Sequence, residues 1–333
     1  MSWSLACTTA LKPIESLIHC LDIVCGVPQG SVLGPKLFIL YINDICKVSK
    51  LLKLVLFADD TNIFCSGDDL AELLKDLTEE IIKLKNWFDY NKLSLNLAKT
   101  KIMLFGYGKR DVQVKMEIDG VEIERVHEMK FLGVMIDDLI SWKSHIKLVQ
   151  TKLSKSIAVI NKAKQALDHK SPHTLYCALV SPYQMYCVEV WGNNYNTSLA
   201  PVTILQKKAI CVIHKVGYLD NTHSLFLQSK IMKFTDMVKF QTAQVMYKAK
   251  NNKLPNNIQK LFNERQLSYN LRGKLHFDRF SIRTTRKGFC ISVCGVKLWN
   301  SLNMEIKQCP SMKQFKRRYK EMVFQSYSNE GGL

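Results

Sequence analysis

Two adjacent carboxylates, Asp59 and Asp60, stand between two apolar runs, residues 51–57 (LLKLVLF) and 61–65 (TNIFC). The runs have the length and composition of short buried strands, and Phe57-Ala58-Asp59-Asp60 falls at the tight turn between them. Acidic side chains are poor strand formers, and neighbouring like charges repel. A divalent cation neutralises such a pair. Carboxylate oxygens suit Mg²⁺, and paired Mg²⁺ ions align the attacking and leaving oxygens of phosphoryl transfer. The same four residues also read as an ordinary turn, since Asp favours turns and accepts hydrogen bonds from nearby backbone. Their surroundings decide between the two.

The elements that must hold this turn can be read on both sides of it. Upstream, Gly26-Val27-Pro28-Gln29-Gly30-Ser31-Val32-Leu33-Gly34-Pro35 pins a turn, with Ser31 placed to cap a following helix and Pro35 tolerated in its first turn. Gly30 permits close backbone approach, and a helix N-terminus behind it favours phosphate. Residues 36–48 continue as a mostly apolar, buried helix. Downstream, Asp68 and Asp69 can cap a helix to about residue 90 whose apolar positions Leu70, Leu73, Leu74, Leu77, Ile81, Leu84 and Phe88 keep helical spacing. That stripe covers one face of the sheet carrying the acids. Strands follow at 101–105 and 130–136, with a hairpin over 114–126 turning at Asp119-Gly120. Strands and helices in this order predict an α+β fold of the ferredoxin-like type.

Beyond residue 138 the pattern is helical, over 142–167, 173–190 and 201–215, with Lys on the outer faces. The segment 251–257 (NNKLPNN) is the best boundary before a basic region that contains Arg272, Lys274, Arg279, Arg283, Arg286, Lys287, Lys297, Lys307, Lys313, Lys316, Arg317, Arg318 and Lys320. The interleaved aromatics Phe277, Phe280, Phe289 and Trp299 suit a nucleic-acid surface. The other reading is that Phe289, Trp299 and Phe315 anchor a small C-terminal core.

Composition agrees with a polyanionic partner. Across 333 residues, 47 basic and 29 acidic side chains give a formal charge of +18. Eleven cysteines lack the paired spacing of a zinc site, so reduced thiols in an intracellular protein, nuclear or cytoplasmic, are expected rather than a disulfide framework. The start of the chain lacks the features of a signal peptide, and no apolar run is long enough to span a membrane.

Taken together, the motifs resemble the reverse transcriptase family, and more narrowly the enzymes of LINE-type, jockey-like non-LTR retrotransposons. The run 26–35 with Leu40-Tyr41-Ile42-Asn43-Asp44-Ile45 resembles the second palm motif of that family, and Phe57-Ala58-Asp59-Asp60-Thr61 the third. Leu93-Ser94-Leu95-Asn96-Leu97-Ala98-Lys99-Thr100-Lys101 is similar to the fourth, and Phe131-Leu132-Gly133-Val134 to the primer grip. Residues 282–302 are similar to the tail of these proteins. The resemblance implies an unmatched segment over 1–24, a partial polymerase palm over 25–138, a helical thumb and connection over 139–250, and a basic C-terminal region over 251–333.

It also implies RNA-templated extension of a DNA primer with deoxynucleoside triphosphates and two Mg²⁺ ions. Asp59 is then a metal ligand and Asp60 its support. Lys99, at a helix-to-strand turn, balances the leaving pyrophosphate or is simply solvent-exposed. Pro28, Gln29, Gly30, Ser31, Phe57 and Ala58 lie against template and nucleotide, and Phe131, Leu132 and Gly133 against the primer. Arg283, Arg286, Lys287, Arg317 and Arg318 contact nucleic acid. The family carries a further Asp, in a strand neighbouring the Asp59 hairpin and well before Gly26; here the only acids before Gly26 are Glu15 and Asp22, and neither matches it. Two expectations follow: the polypeptide as given does not polymerise DNA, and the absent strand leaves a sheet edge exposed. The alternative function is a non-catalytic RNA- or DNA-binding transposon remnant.

Overall fold

The computed structural model describes residues 3–12, 30–106, 115–166, 171–264, 277–278 and 281–330. The chain divides into two compact units, Met1–Ser141 and Trp142–Leu333.

In the first unit, β1 (Trp3–Lys12) precedes α1 (Gly34–Ile42), β2 (Lys53–Phe57), β3 (Asp60–Gly67), α2 (Leu70–Tyr90) and β4 (Ser94–Phe105). Short strands follow: β5 (Glu117–Ile118), β6 (Val121–Glu122), β7 (Glu124–Arg125), β8 (Glu128–Phe131) and β9 (Val134–Asp137). The main sheet has the order β2-β3-β1-β4-β7, with β1 antiparallel to both β3 and β4. Helix α2 starts where the sequence places it. The Asp69 carboxylate accepts a hydrogen bond from the Glu72 N–H at 2.9 Å, satisfying one of the donors every helix start leaves open. Leu73, Leu77, Ile81, Leu84 and Phe88 of α2 form one core with Ile63 of β3 and Ile102 and Leu104 of β4. Each such side chain contributes about 1.5–3 kcal/mol by leaving water.

Several expectations change. The sheet edge expected beside β3 is occupied: β1 fills that place along its whole length. Strand β2 is not buried but forms the outer edge, with Val55 and Phe57 exposed. The helix expected over 36–48 ends at Ile42 and resumes as a 3-10 turn, Ile45–Lys47. It is largely exposed as well: Leu37, Ile39, Leu40 and Tyr41 face outward, while Ile42 and Ile45 enter the core. Strand β4 begins at Ser94 rather than 101, because pairing with β1 recruits the polar residues before it. The strand expected over 130–136 is a hairpin, β8 with β9.

Glu80 sits among the apolar residues of α2 and is 5% exposed. Its carboxyl is held below the usual range by hydrogen bonds from Lys83, at 2.6 Å, and from Ser49, against the opposing effect of burial. Ser49 also accepts from the N–H groups of Leu51 and Leu52, so Glu80 ties α2 to the turn that feeds β2. A carboxylate with a depressed folded pKa adds stability above its unfolded value, near 4.5, and loses it as pH falls through the lower folded value. Urea midpoints of wild type and Glu80→Gln should therefore differ at pH 7 and converge in the acid range below 4.5. A gap that persists unchanged in acid would rule this out.

The second unit is helical: α3 (Lys143–Ala163), α4 (Ser171–Leu179), α5 (Ser181–Met185), α6 (Val188–Trp191), α7 (Asn196–His214), α8 (His223–Gln228), α9 (Phe234–Lys250), α10 (Asn256–Gln259), α11 (Thr285–Phe289), α12 (Ile291–Ser301), α13 (Met304–Lys307) and α14 (Met312–Glu330). The single helix expected over 173–190 is three short ones. Pro182 begins a new helix in the first turn of α5, and Cys187 turns left-handed (φ 50°) before α6. A buried amide holds the core in register. Gln206 of α7 donates from Nε2 to the Tyr176 hydroxyl and the Met232 carbonyl, both at 3.0 Å, and accepts from the Phe234 N–H at 2.6 Å.

Residues 251–257, read from sequence as a boundary, lie inside this unit. Tyr247 before them stacks obliquely on Phe315 after them, with centroids 4.7 Å apart, and Trp299 stacks on Phe315 at 6.0 Å. The Tyr247 hydroxyl donates to the Cys309 carbonyl at 2.8 Å. Gly295 lets α12 approach α9: a β-carbon there would stand 2.8 Å from the Met246 sulfur.

Candidate active site and nucleic-acid interface

The acidic turn is a two-residue loop. Phe57 and Asp60 are the last register partners of β2 and β3, leaving Ala58 and Asp59 between them. Ala58 takes a positive φ of 51° at the first loop position, the position where hairpin turns of this length favour glycine. An L-residue held there costs about 1–2 kcal/mol. Asn62 clamps the hairpin by donating from Nδ2 to the Val55 carbonyl at 3.3 Å. Asp59 is exposed and Asp60 half-buried.

Register places the next residues. Asp60 pairs with Ala10 of β1, and Ala10 pairs with Asn96 of β4, so the three form one row across the sheet. With strands about 4.8 Å apart, Asn96 begins roughly 10 Å from Asp60. Between the pairs Thr8↔Lys101 and Ala10↔Asn96, two steps of β1 oppose five of β4, so β4 bulges over Leu97–Thr100. Thr100 closes the bulge by donating to the Asn96 carbonyl at 3.0 Å. Lys99 is exposed within it. The fold thus sets Lys99 in a strand bulge at the acidic end of the sheet, not at the helix-to-strand turn expected from sequence.

Of the upstream motif, Pro28 and Gln29 lie outside the described residues. Gly30 takes a left-handed φ of 84° with open space around it. The Ser31 hydroxyl accepts from the Gly34 N–H at 3.0 Å, a cap on the turn leading into α1, and Pro35 sits in the first turn as expected. The Tyr41 hydroxyl donates to the Asn91 carbonyl, fixing α1 to the end of α2.

Phe131, Leu132 and Gly133 form the tip of the β8–β9 hairpin. Leu132 and Gly133 both have positive φ (44° and 85°), as a type I′ turn requires, between the partners Phe131 and Val134. This two-stranded ladder is separate from the five-stranded sheet.

Of the basic residues named from sequence, Arg272, Lys274 and Arg279 lie outside the described residues, and most of the others are on the surface of the second unit. Arg283, Arg286 and Lys287 are exposed around the start of α11, where the Thr284 hydroxyl accepts from the Lys287 N–H at 3.4 Å. On α14, Phe315, Tyr319, Val323 and Tyr327 enter the core, while Lys313, Lys316, Arg317, Arg318 and Lys320 remain exposed. Arg317 approaches Glu321 at 3.7 Å, and Arg318 donates to the Glu305 carbonyl at 3.2 Å. Lys307 is an exception: it is buried, donates to the Asn300 carbonyl at 3.1 Å, and burial pushes its pKa down. Phe280 lies outside the described residues, and the described aromatics do not form a stacking platform. Phe277, Trp299 and Phe315 are core residues, and Phe289 meets Tyr195 edge-on at 4.8 Å.

Asp59 and Asp60 can hold one divalent cation, since Mg²⁺ takes one or two carboxylates and completes its shell with water or phosphate. They do not fit a pair of cations. Among the described residues no group of three or more His, Cys, Asp or Glu side chains converges. Cys46, Cys65, Cys177, Cys187, Cys211, Cys290, Cys294 and Cys309 are free thiols, and burial pushes that of Cys294 up to about 11. No helix among the described residues is long and apolar enough to cross a membrane.

Comparison with known proteins completes the picture. Residues 12–136 match the family model of reverse transcriptase (RNA-dependent DNA polymerase). The chain is 26% identical over 245 residues to the RNA-directed DNA polymerase from mobile element jockey of Drosophila funebris, covering 70% of this chain and 25% of that protein. It is 26% identical over 204 residues to the probable RNA-directed DNA polymerase from transposon X-element of Drosophila melanogaster, covering 58% and 22%. A Pol polyprotein from type-1 retrotransposable element R1 of Bradysia coprophila is 23% identical over 190 residues, covering 55% and 19%. The chain spans about a quarter or less of the length of these relatives. No solved structure matches it. Residues 12–136 thus match a reverse transcriptase domain, and the chain is similar to the RNA-directed DNA polymerases of LINE-type, jockey-like retrotransposons.

Proposed function

We propose that this chain is the palm, thumb and basic C-terminal portion of an RNA-directed DNA polymerase, and that by itself it binds nucleic acid without extending a primer. The observation that carries the reading is the Phe57–Asp60 hairpin, a strained two-residue turn that presents two carboxylates at the end of a sheet inside the reverse transcriptase match. The ββ hairpin, the flanking β4 and the two helices support a ferredoxin-like palm over 25–138, whose sheet takes in β1 from the segment before it. The helices of 139–250 serve as thumb and connection, and 251–333 as the basic region, within the nucleus or cytoplasm.

In this reading the RNA template and the nucleotide lie along Pro28, Gln29, Gly30, Ser31, Phe57 and Ala58. The primer end rests on the Phe131-Leu132-Gly133 turn, and Lys99 attends the pyrophosphate of a deoxynucleoside triphosphate. Asp59, supported by Asp60, would hold a single cation, which would supply charge for a phosphate but not the alignment of both oxygens that two cations give, a difference of several kcal/mol in the transition state. At about 1.4 kcal/mol per tenfold, that removes useful turnover. Primer extension on an RNA template with Mg²⁺ should yield no product above the level of Asp59→Asn plus Asp60→Asn. Salt-sensitive RNA binding by the same preparation should be clear. Extension that depends on Asp59 and Asp60 would overturn the inactive reading, and absence of RNA binding would overturn the binding one.

A further inference from the structure

We propose that the turn Gly217–Asp220 is a base-stacking finger, on which Tyr218 stacks an unpaired nucleobase and Leu219 wedges that base from its neighbour. The inference rests on the reading of this chain as a binder of nucleic acid. The turn joins α7 to α8, outside the residues 12–136 that match the family model. Leu219 is 101% exposed and Tyr218 60%, and Val216 beside them is exposed as well. Turn chemistry does not ask for these residues, since the central positions of a turn favour Pro, Gly, Asn, Asp or Ser. Apolar side chains displayed together in this way mark an interaction surface.

The tip is fixed from both sides. Helix α7 ends in a Schellman motif: Lys215 turns left-handed (φ 55°), its N–H donates to the Val212 carbonyl at 3.3 Å, and the Val216 N–H donates to the Cys211 carbonyl at 3.1 Å. The Asp220 N–H then donates to the Gly217 carbonyl at 3.2 Å, closing a β-turn with Tyr218 and Leu219 at its centre. The Asp220 carboxylate accepts from the Gly217 N–H at 2.8 Å, so the same two residues are tied twice. Beyond the turn, the Asn221 side chain accepts from the His223 N–H at 2.9 Å, and His223 Nε2 donates to the Tyr327 carbonyl at 2.8 Å, securing α8 to α14. A tip ordered in advance loses little freedom on binding.

Charge selects the occupant. Between Glu189 and Asp236 the sequence holds one acid, Asp220, against Lys207, Lys208, Lys215, Lys230 and Lys233. The Asp220 carboxylate is bonded within the turn, whereas Lys207, Lys208 and Lys215 are exposed on the helix that leads to it. Lys208 and Lys215 stand two helical turns apart, about 10.5 Å, so a phosphate backbone following α7 meets both before it reaches the tip. Cations beside an aromatic suit a single strand, whose backbone is anionic and whose every base offers a π face.

The test is a titration of the full chain with single-stranded oligouridylate over a salt series. Tyr218→Ala should weaken binding about 10-fold, by the same factor at every salt concentration, because stacking releases no counterion. Leu219→Ser should show a smaller loss of the same kind, and Tyr218→Phe, which keeps the ring, should bind as the wild type. Lys208→Gln plus Lys215→Gln should instead flatten the slope of log affinity against log salt by about 1.4. These side chains are exposed, so each variant should melt like the wild type. A 5-iodouridine placed in the oligouridylate should photocrosslink to Tyr218. Wild-type affinity in Tyr218→Ala, a loss that vanishes at high salt, or crosslinks that fall only elsewhere would overturn the proposal and leave the turn to a protein partner. A wild type that binds no oligouridylate overturns instead the nucleic-acid reading beneath it.

Discussion

Trp299→Ala should lower the stability of the second unit by about 3–5 kcal/mol, the range for deleting a large buried aromatic. For a unit of this size the melting temperature should fall by roughly 10 °C. The reason lies in what the indole touches. It is fully buried, stacks on Phe315, and through Phe315 and Tyr247 joins α12 and α14 to α9. Its Nε1 has no hydrogen-bond partner among the described residues. Trp299→Phe should therefore cost much less than Trp299→Ala, because it keeps the ring and removes a buried donor whose lack of a partner is itself unfavourable. Calorimetry on the three proteins checks this. If the alanine variant melts within 3 °C of the wild type, the basic C-terminal region is not part of that core.

Neutralising Arg283, Arg286, Lys287, Arg317 and Arg318 together to Gln should weaken RNA binding by roughly 10³-fold at 0.1 M salt and hardly at all near 1 M. Each phosphate contact on a single strand contributes about 0.7 to the slope of log affinity against log salt, so five contacts flatten it by about 3.5. All five side chains are exposed, and none is a core residue, so the variant should melt like the wild type. Titration of a labelled single-stranded RNA over a salt series measures both numbers. A loss of affinity equal at every salt concentration would show that these side chains do not work by neutralising phosphate. Lys307→Gln should leave the slope unchanged, because that ammonium is bonded inside the protein.

Much of the local architecture is legible in the residues, where one physical preference dominates. The apolar spacing from Leu70 to Phe88, the Asp69 cap, and the Asp119-Gly120 turn with both φ values positive each follow from a short stretch alone. Elements that depend on a distant partner are not. Nothing in WSLACTTALK alternates strongly enough to announce a strand; it is one because β3 and β4 pair with it on either side. The bulge around Lys99 arises from the same pairing. In residues 130–136, the apolar Leu132 hides a left-handed turn that Gly133 alone does not reveal. At the site, residue types named the acidic turn, the lysine and the basic side chains, whereas their sheet positions come from register. Trp299 reads equally as a stacking or a packing residue, and its full burial decides for packing.

The placement of β1 also sets an order of events during folding. The β2–β3 hairpin closes through a two-residue loop, a microsecond process for an isolated hairpin. Strand β1 must instead find partners as remote as Ser4↔Phe105, although it is synthesised before both of the strands it pairs with. Non-local pairing of that kind is slow, because chain closure precedes any compensating contact. The carboxylate turn is thus an early structure, and the strand position beside it is among the last to be filled.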